Sequence, residues 1–292
     1  MLERRLEFHV TDAQKVDVLL RRELHCSSAV IRIAKEYPDG ILLDGLHTTT
    51  ARIAQPGQVL SVLISDRADG DLAAAEGPVD TVYEDADLLV VNKAAGVAVH
   101  PGPGHHDDTL GNFLTGYYKK QGVPFVYRPA HRLDRNTSGL MVVARHAHVQ
   151  ELLKGQLHTG QFRRTYLAVC EGEIAQWEGV IDQPIGRADG SVLRREVRCG
   201  GADAVTRYQV VEVKEGRSLV RLELETGRTH QIRVHMAWLG HPLVGDFLYG
   251  TERPELIGRT ALHSWKLNLK HPLTGEWLDL TAPVPEDMLG LL

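Results

Sequence analysis

The sequence predicts an α+β fold built on a mixed, mostly antiparallel sheet that is flanked by helices. Apolar stretches rich in β-branched residues, typical of strands, occur at 88–91, 140–144, 166–169, 208–213, 219–224 and 232–234. Helical patches in the same part of the chain are confined to 109–120 and 146–157. The two kinds of element do not alternate, which argues against a doubly wound parallel sheet.

A small α/β module is predicted ahead of this sheet, at about residues 12–65. Residues 16–24 have apolar positions at helical spacing, and Ser27 and Ser28 are placed to cap a second helix. Turn residues then separate two short strand candidates, 41–45 and 59–64. Residues 66–77 are polar and rich in alanine, glycine and aspartate, so we expect an acidic linker there and the main domain at 78–292.

Charge is distributed unevenly along the chain. The net charge is −5, which by itself argues against a nucleic-acid partner. However, eight acidic residues and one basic residue lie between positions 66 and 87, whereas seven basic and two acidic residues lie between 128 and 166. A basic face can therefore exist within an acidic protein, and phosphate binding depends on that face. A solvated surface with salt bridges is the alternative interpretation.

Composition indicates a soluble intracellular protein. No stretch of 18 apolar residues is present, and the N-terminal residues lack the apolar run of a signal peptide. The three cysteines are far apart and odd in number, which favours a reducing compartment and no disulfide framework. We expect a cytoplasmic monomer.

The most informative segment is His131-Arg132-Leu133-Asp134-Arg135-Asn136-Thr137-Ser138-Gly139-Leu140. Its turn-forming residues lead directly into the predicted buried strand at 140–144, and loops held by such strands often carry catalytic groups. From spacing alone, Asp134 could equally be a carboxylate that hydrogen-bonds its own turn and pairs with a neighbouring arginine.

Further motifs resolve this ambiguity, because the segment resembles the signature of the RluA-type RNA pseudouridine synthases. Similar blocks follow that family's order over about residues 80–285. They are Asn92-Lys93-Ala94-Ala95-Gly96, Arg164-Thr165-Tyr166-Leu167-Ala168, residues 226–235 (TGRTHQIRVH), residues 240–246 (GHPLVGD) and Leu262-His263-Ser264-Trp265. The resemblance implies an isomerase that converts uridine in structured RNA to pseudouridine, without cofactor or metal.

The resemblance also assigns site residues. It implies that Asp134 acts at the ribose, that Arg228 pairs with this carboxylate, and that Tyr166 stacks on the target base. It further implies that Arg132 fills the gap left by a flipped base and that Leu262 lines the uracil pocket. Two more residues of these motifs, His131 and Arg164, complete the predicted RNA-binding set.

Two departures from the family pattern are visible. Ala94 stands where the family usually has proline, and Arg164 stands where it usually has lysine. Arginine keeps the positive charge but presents a planar fork of donors in place of a point charge.

The N-terminal module resembles the RNA-binding domain named after ribosomal protein S-four. Its second helix carries Arg32 and Lys35, fewer basic residues than is usual there. A module that serves only for packing is the alternative. The resemblance implies ribosomal RNA, rather than transfer RNA, as the substrate, because such a module is more frequent in the family's enzymes for large ribosomal RNA.

Two other functions compete with the synthase interpretation. The 15 histidines, with His230, His235 and His241 close in sequence, suggest a metal-dependent hydrolase, but no His-Glu-x-x-His motif is present. A non-catalytic RNA-binding protein is the other alternative. The combined presence of Asp134, Tyr166 and Arg228 argues against it.

Overall fold

The computed structural model describes residues 3–66, 69–157 and 159–291. Its first part has the elements β1 (Arg5–His9), β2 (Gln14–Lys15), α1 (Val16–Arg22), α2 (Ser28–Ala34), β3 (Ile41–Leu43), β4 (Leu46–His47), β5 (Ile53–Ala54) and β6 (Val59–Leu63). Four strands form a sheet in the order β1-β6-β3-β4, and β2 pairs with β5. Ser27 caps α2 by accepting a hydrogen bond from the Val30 backbone N–H at 3.3 Å, as the sequence predicts. The first strand, β1, precedes the predicted start of the module.

The second part contains the large sheet and its helices. Its elements are β7 (Thr81–Glu84), β8 (Leu88–Lys93), α3 (Leu110–Lys120), β9 (Arg128–Pro129), β10 (Ser138–Ala144), α4 (Ala147–Gln156), β11 (Phe162–Glu171), β12 (Glu178–Asp182), β13 (Ile185–Arg187), β14 (Arg195–Val197), β15 (Val205–Lys214), β16 (Arg217–Leu224), α5 (Gln231–Trp238), β17 (Leu262–Lys270), β18 (Trp277–Thr281) and α6 (Glu286–Leu289). The sheet has the order β12-β15-β16-β11-β17-β10-β8-β7, with β18 on β17 and β9 on β10. The predicted α+β fold with a mostly antiparallel sheet is confirmed.

The parallel contact between β10 and β17 brings two distant motifs together. Ser138 lies opposite His263 and Gly139 lies opposite Ser264. Gly139 has φ +109°, and a Cβ there would lie 2.2 Å from the Ser264 carbonyl oxygen, so only glycine permits this approach. The loop that precedes β10 therefore lies beside the start of β17.

One predicted strand is wrong. Residues 232–234 belong to helix α5, in which every residue from Gln231 to Met236 is buried. A short apolar run with β-branched residues has the same appearance in a buried strand and in a helix that is buried all round. The predicted helices at 109–120 and 146–157 are confirmed as α3 and α4.

The acidic segment (residues 66–77) lies along α3 where it is described. Asn112 donates a hydrogen bond from Nδ2 to the Ala73 carbonyl at 2.9 Å, and the Ala75 N–H donates to the Asn112 carbonyl at 3.1 Å. Gly116 faces this segment, and a Cβ there would lie 2.2 Å from the Ala75 carbonyl oxygen. The segment predicted to be a linker is thus hydrogen-bonded to the second part of the molecule.

A buried carboxylate joins the two parts. Asp87 accepts two hydrogen bonds from Arg4, at 2.9 and 3.0 Å, and lies 3.0 Å from Nε2 of His146. Asp87 is almost fully buried, so this paired charge holds the residue before β1 close to the N-terminal end of α4. Within the described part of the chain, every helix is too short or too polar to cross a lipid bilayer.

Candidate active site

A cavity of about 410 Å³ opens where the loop before β10, strand β11, the start of α5 and the start of β17 meet. Its volume lies in the range of about 300–1,000 Å³ that is usual for small-molecule sites. All of the site residues predicted from the sequence line it: His131, Arg132, Asp134, Arg164, Tyr166, Arg228 and Leu262. The chain thus brings together residues that are up to 131 positions apart in the sequence.

Asp134 lies in the loop between β9 and β10, held by a turn in which the Thr137 N–H donates to the Asp134 carbonyl at 3.1 Å. Its side chain is 28% exposed, so a ligand in the cavity can reach a carboxylate that is already partly removed from water. Oδ2 of Asp134 accepts a hydrogen bond from Nη1 of Arg233 at 3.2 Å. This charge-assisted hydrogen bond orients the carboxylate in the cavity.

Arg233 is itself fixed by a second carboxylate. Its Nε and Nη2 donate to the two oxygens of Asp246 at 2.6 and 2.7 Å, and the Asp246 side chain is completely buried. Burial opposes the charge of Arg233, but hydrogen bonds and charges from Asp246 and Asp134 outweigh it, so the pKa of Arg233 is raised. A positive charge is therefore held rigidly against Asp134.

The predicted pair between Asp134 and Arg228 is wrong. Arg228 is exposed at the cavity wall, and its Nε donates to the Asp203 carbonyl at 2.9 Å. The partner of Asp134 is Arg233, five residues later in the same motif. A helix beginning near residue 230 turns the side chain of residue 233 toward the loop, whereas the strand predicted at 232–234 gave no reason to choose it.

Tyr166 lines the cavity from β11. The register between β11 and β17 shifts between Thr165 and Tyr166, so a bulge lies at this position, and bulges often re-aim a side chain. The residue is 4% exposed, and burial raises the pKa of its hydroxyl. The phenol is therefore protonated at neutral pH, and its ring is available beside Asp134.

His131 and Arg164 form a buried wall of the cavity. Nε2 of His131 accepts a hydrogen bond from the Val142 N–H at 3.3 Å, and burial, reinforced by the charge of Arg164, lowers the pKa of His131 to about 3. Arg164 is 6% exposed, and among the described residues no carboxylate forms a salt bridge with it. A buried guanidinium of this kind is suited to an anionic ligand group.

The other two predicted residues lie at different depths. Leu262 is 4% exposed at the start of β17 and belongs to the main hydrophobic core. Arg132 is exposed at the mouth of the cavity. Their positions suit an apolar pocket wall and a charged rim respectively.

Two buried cations to which the sequence analysis assigned no role support the loop that carries Asp134. Lys93 donates from Nζ to the carbonyls of Ala94, Val97 and Arg135 at 2.8, 2.9 and 3.1 Å. Burial lowers the pKa of Lys93 to about 7, against an opposing effect of Asp134. This lysine ties the segment after β8 to the residue that follows Asp134.

Arg259 supports the same loop from the other side. Its Nη1 donates to the carbonyls of Asn136 at 3.4 Å and Leu262 at 3.2 Å. Its Nε and Nη2 donate to Asp287 of α6 at 2.7 and 2.8 Å. No local pattern signals this role, because the three segments meet only in the folded chain.

A cluster of two carboxylates and a histidine lies at the junction of the two parts of the molecule. Among the described residues, Asp85, Asp87 and His271 come close enough to hold an ion, but they lie outside the cavity. Asp87 already binds Arg4 and His146, and Asp85 accepts hydrogen bonds from the Tyr83 hydroxyl and two backbone N–H groups. These donors are suited to an ion-pair network at the junction of the two parts.

The histidines that suggested a hydrolase do not converge. His235 bonds Thr206 at 2.8 Å and the Gln183 carbonyl at 3.0 Å, while His241 bonds the Glu171 carbonyl at 2.9 Å. His230 alone of the three lines the cavity.

Comparison with known proteins gives a consistent family. Residues 87–238 match the family model described as RNA pseudouridylate synthase. The chain is 40% identical over 271 residues to the uncharacterized RNA pseudouridine synthase YjbO of Bacillus subtilis, covering 92% of this chain and 95% of that protein. It is also 40% identical over 266 residues to the ribosomal large subunit pseudouridine synthase D of Xanthomonas campestris, covering 86% and 80% respectively.

A solved structure agrees with the sequence relatives. Human RNA pseudouridylate synthase domain containing 1 superimposes with a TM-score of 0.58 at 29% identity, covering 70% of this chain and 83% of that chain.

Proposed function

We propose that this chain, which belongs to the RNA pseudouridylate synthase family and isomerises uridines in RNA, uses Asp134 as its catalytic carboxylate and acts on large-subunit ribosomal RNA. The observation that carries the assignment of Asp134 is its position in the cavity, where it is partly desolvated and paired with a rigidly held Arg233. RluA-type relatives named for the large ribosomal subunit support the choice of RNA.

The reaction needs a carboxylate at the sugar. The bond from uracil N1 to the ribose C1′ breaks, the base turns, and uracil C5 bonds to C1′; C5 then loses its proton and N1 gains one. Asp134 either attacks C1′ or removes the 2′ proton, and both steps require an ionised carboxylate. Arg233 donates a hydrogen bond to Asp134 at 3.2 Å and orients the carboxylate toward the sugar. Because the product is an isomer of the substrate, the reaction needs no net oxidant, reductant or group donor.

In this proposal the residues of the cavity wall hold the detached base and keep water away from it. A stacked base must leave its helix to reach Asp134, and Tyr166 offers an aromatic face on which uracil can stack. Leu262 closes the pocket with an apolar surface, which excludes water that would otherwise divert the intermediate. Arg132 at the mouth is placed to occupy the gap left in the RNA, while Arg164 and Arg228 meet phosphate or base oxygens.

The N-terminal module supplies further RNA contacts in this proposal. Arg22, Arg32 and Lys35 are exposed on or near its two helices. We take the protein to act as a monomer, with the boundaries 12–65, 66–77 and 78–292 as its functional divisions.

The decisive experiment replaces Asp134 by asparagine, which has nearly the same shape but no charge. Asp134→Asn should reduce pseudouridine formation to background while RNA binding and thermal unfolding stay close to those of the unmodified protein. Asp279→Asn, which neutralises an exposed carboxylate on β18, is the matched control. Measurable turnover by Asp134→Asn would exclude it as the catalytic carboxylate.

The substrate and the metal alternative need separate measurements. Mapping pseudouridines in RNA from cells that lack the chain should show a loss in large-subunit ribosomal RNA, and a loss confined to transfer RNA would contradict this choice. Turnover of a short stem-loop that carries the mapped uridine should persist in excess chelator. Activity that disappears with chelator and returns with zinc or manganese would instead support a metal-dependent reaction.

A further inference from the structure

His230 occupies an unusual position beside Asp134. It precedes α5 with φ 58° and ψ 19°, a left-handed conformation that is uncommon for residues other than glycine. Its side chain makes no capping hydrogen bond to the helix. The ring instead lines the cavity, with Nε2 at 3.9 Å from Oδ2 of Asp134. Strained backbone that aims a ring at a catalytic group points to a functional role.

Hydrogen bonds on the far side of the ring set its tautomer. The Tyr249 hydroxyl accepts a hydrogen bond from the Arg195 backbone N–H at 2.9 Å and lies 2.8 Å from Nδ1 of His230. With its oxygen already accepting one hydrogen bond, the Tyr249 hydroxyl can direct its own hydrogen at Nδ1. Nδ1 is then an acceptor, and in the neutral ring the hydrogen is on Nε2, which faces Asp134.

Burial is the main reason that the pKa of His230 lies below its ordinary value. Burial lowers the pKa of His230, Asp134 and Asp246 act in the opposite direction, and the charges of Arg233 and Arg195 add to the lowering. The result is a pKa below the ordinary value for histidine. At neutral pH the cavity therefore contains an imidazole N–H donor next to a carboxylate acceptor.

The gap between these two groups has a definite size. A separation of 3.9 Å is too long for a direct hydrogen bond, for which about 2.7–3.2 Å is usual. It is suited to one oxygen atom that bonds both groups, with each contact about 2.8 Å long. That oxygen must accept from Nε2–H and donate to Oδ2, and a hydroxyl group does both.

We propose that His230 and Asp134 together bind the 2′-hydroxyl of the target ribose, and that His230 makes the site selective for RNA over DNA. This inference rests on the proposed role of Asp134 at the sugar. Asp134 must reach C1′ or the proton on C2′, and the 2′-oxygen is bonded to C2′. The 2′-hydroxyl is also the group by which a protein distinguishes RNA from DNA at a given nucleotide.

The test combines a change in the protein with a change in one substrate atom. Stem-loops carrying the mapped target as uridine or as 2′-deoxyuridine are compared for binding and for single-turnover rate. The unmodified protein should favour the ribose substrate by about 100-fold or more, because sites built to bond a hydroxyl reject the analogue that lacks it. His230→Asn suits the left-handed backbone but shortens the side chain, and it should reduce this preference at least tenfold.

The reduction should come from the ribose substrate alone. His230→Asn should slow the ribose substrate and leave the deoxyribose substrate nearly unchanged, whereas a merely structural role would slow both equally and would overturn the proposal. His230→Gln restores an N–H near the position of Nε2, so it should recover part of the preference. Tyr249→Phe keeps His230 but removes the hydroxyl that sets its tautomer, and it should weaken the preference in a protein whose helix α5 is unaltered.

Failure of this inference and failure of the proposed function give different results. An unmodified protein that converts the ribose substrate, with a preference that His230→Asn does not alter, would show that the 2′-hydroxyl is bound elsewhere. An Asp134→Asn protein that still converts uridine would remove the premise itself.

Discussion

Asp134 shares its partner with a second carboxylate, and this sharing sets what each substitution will do. Arg233 donates two hydrogen bonds to Asp246 and one to Asp134. Asp246 also accepts hydrogen bonds from the backbone N–H groups of Leu248 and Tyr249 at 3.0 and 3.2 Å. The guanidinium of Arg233 therefore stabilises the fold through Asp246 and also orients Asp134. Different variants are needed to separate these two roles.

Arg233→Met should lose activity and also lose about 3–5 kcal/mol of stability, because it leaves Asp246 buried and unpaired. The double variant Arg233→Met/Asp246→Asn removes both buried charges and keeps an acceptor for the two backbone groups. It should recover most of the stability and remain inactive. Urea unfolding and single-turnover assays measure the two properties. Recovery of activity in the double variant would show that Asp134 does not need Arg233.

Arg228→Met provides the matched comparison, since this exposed arginine lines the same cavity without contacting Asp134. It should keep normal stability and weaken RNA binding.

His131 should contribute to the loss of folding stability at acid pH. The folded protein keeps this ring neutral down to about pH 3, whereas in the unfolded chain it protonates near pH 6.5. Between these values the unfolded chain binds more protons, so stability falls as the pH is lowered through this window. His131→Gln should make the fall shallower by up to about 1.4 kcal/mol per pH unit. Urea unfolding of both proteins at several pH values from 4 to 6.5 measures this, and parallel curves would contradict it.

At the scale of elements, sequence patterns identified the site better than they identified the helix that completes it. The turn residues before β10 and the strand that carries Tyr166 were predictable, because each has a local pattern of turn formers or alternating apolar residues. Arg233 was missed since Ile232 and Val234 suggest a strand. Arg259 was beyond local reasoning, because its partners Asn136 and Asp287 are far away in the sequence.

Helix α3 offers a direct test of how the acidic segment is held. In Gly116→Ala the new methyl group would meet the Ala75 carbonyl oxygen, so the segment must move away and stability should fall by about 1–3 kcal/mol. Gly155→Ala in α4 is the matched control, because nothing lies within 4 Å of its added Cβ. That change should stabilise the protein by about 0.5–1 kcal/mol, since alanine favours a helix over glycine. Equal effects of the two substitutions would mean that the segment does not pack on α3.

On the scale of the whole molecule, the net charge of −5 is compatible with RNA binding because the acidic segment lies on α3, whereas arginines line the cavity. The interaction with RNA should therefore depend on particular basic residues. Neutralising Arg22, Arg32 and Lys35 together, each by glutamine, should weaken binding and make its salt dependence shallower by about one unit of log–log slope per lost phosphate contact.

Arg221→Gln is the control for this charge effect. Residues alternate between the two faces of a strand, so Arg221 points away from the cavity-lining Leu224 on β16. Its loss should leave the slope unchanged. Titration of one RNA at several salt concentrations gives both results, and an unchanged slope for the triple variant would show that the N-terminal module makes no phosphate contacts.

The hydrogen bonds that link Asp287, Arg259 and Asn136 can form only late in the synthesis of the chain. A ribosome makes the loop containing Asp134 first, and more than half the length of the chain separates it from Asp287. At about 5–20 residues per second, Asp287 is made on the order of ten seconds after the loop that contains Asp134. We therefore expect catalytic competence to appear late in synthesis, after α6 has been made and Asp287 can pair with Arg259.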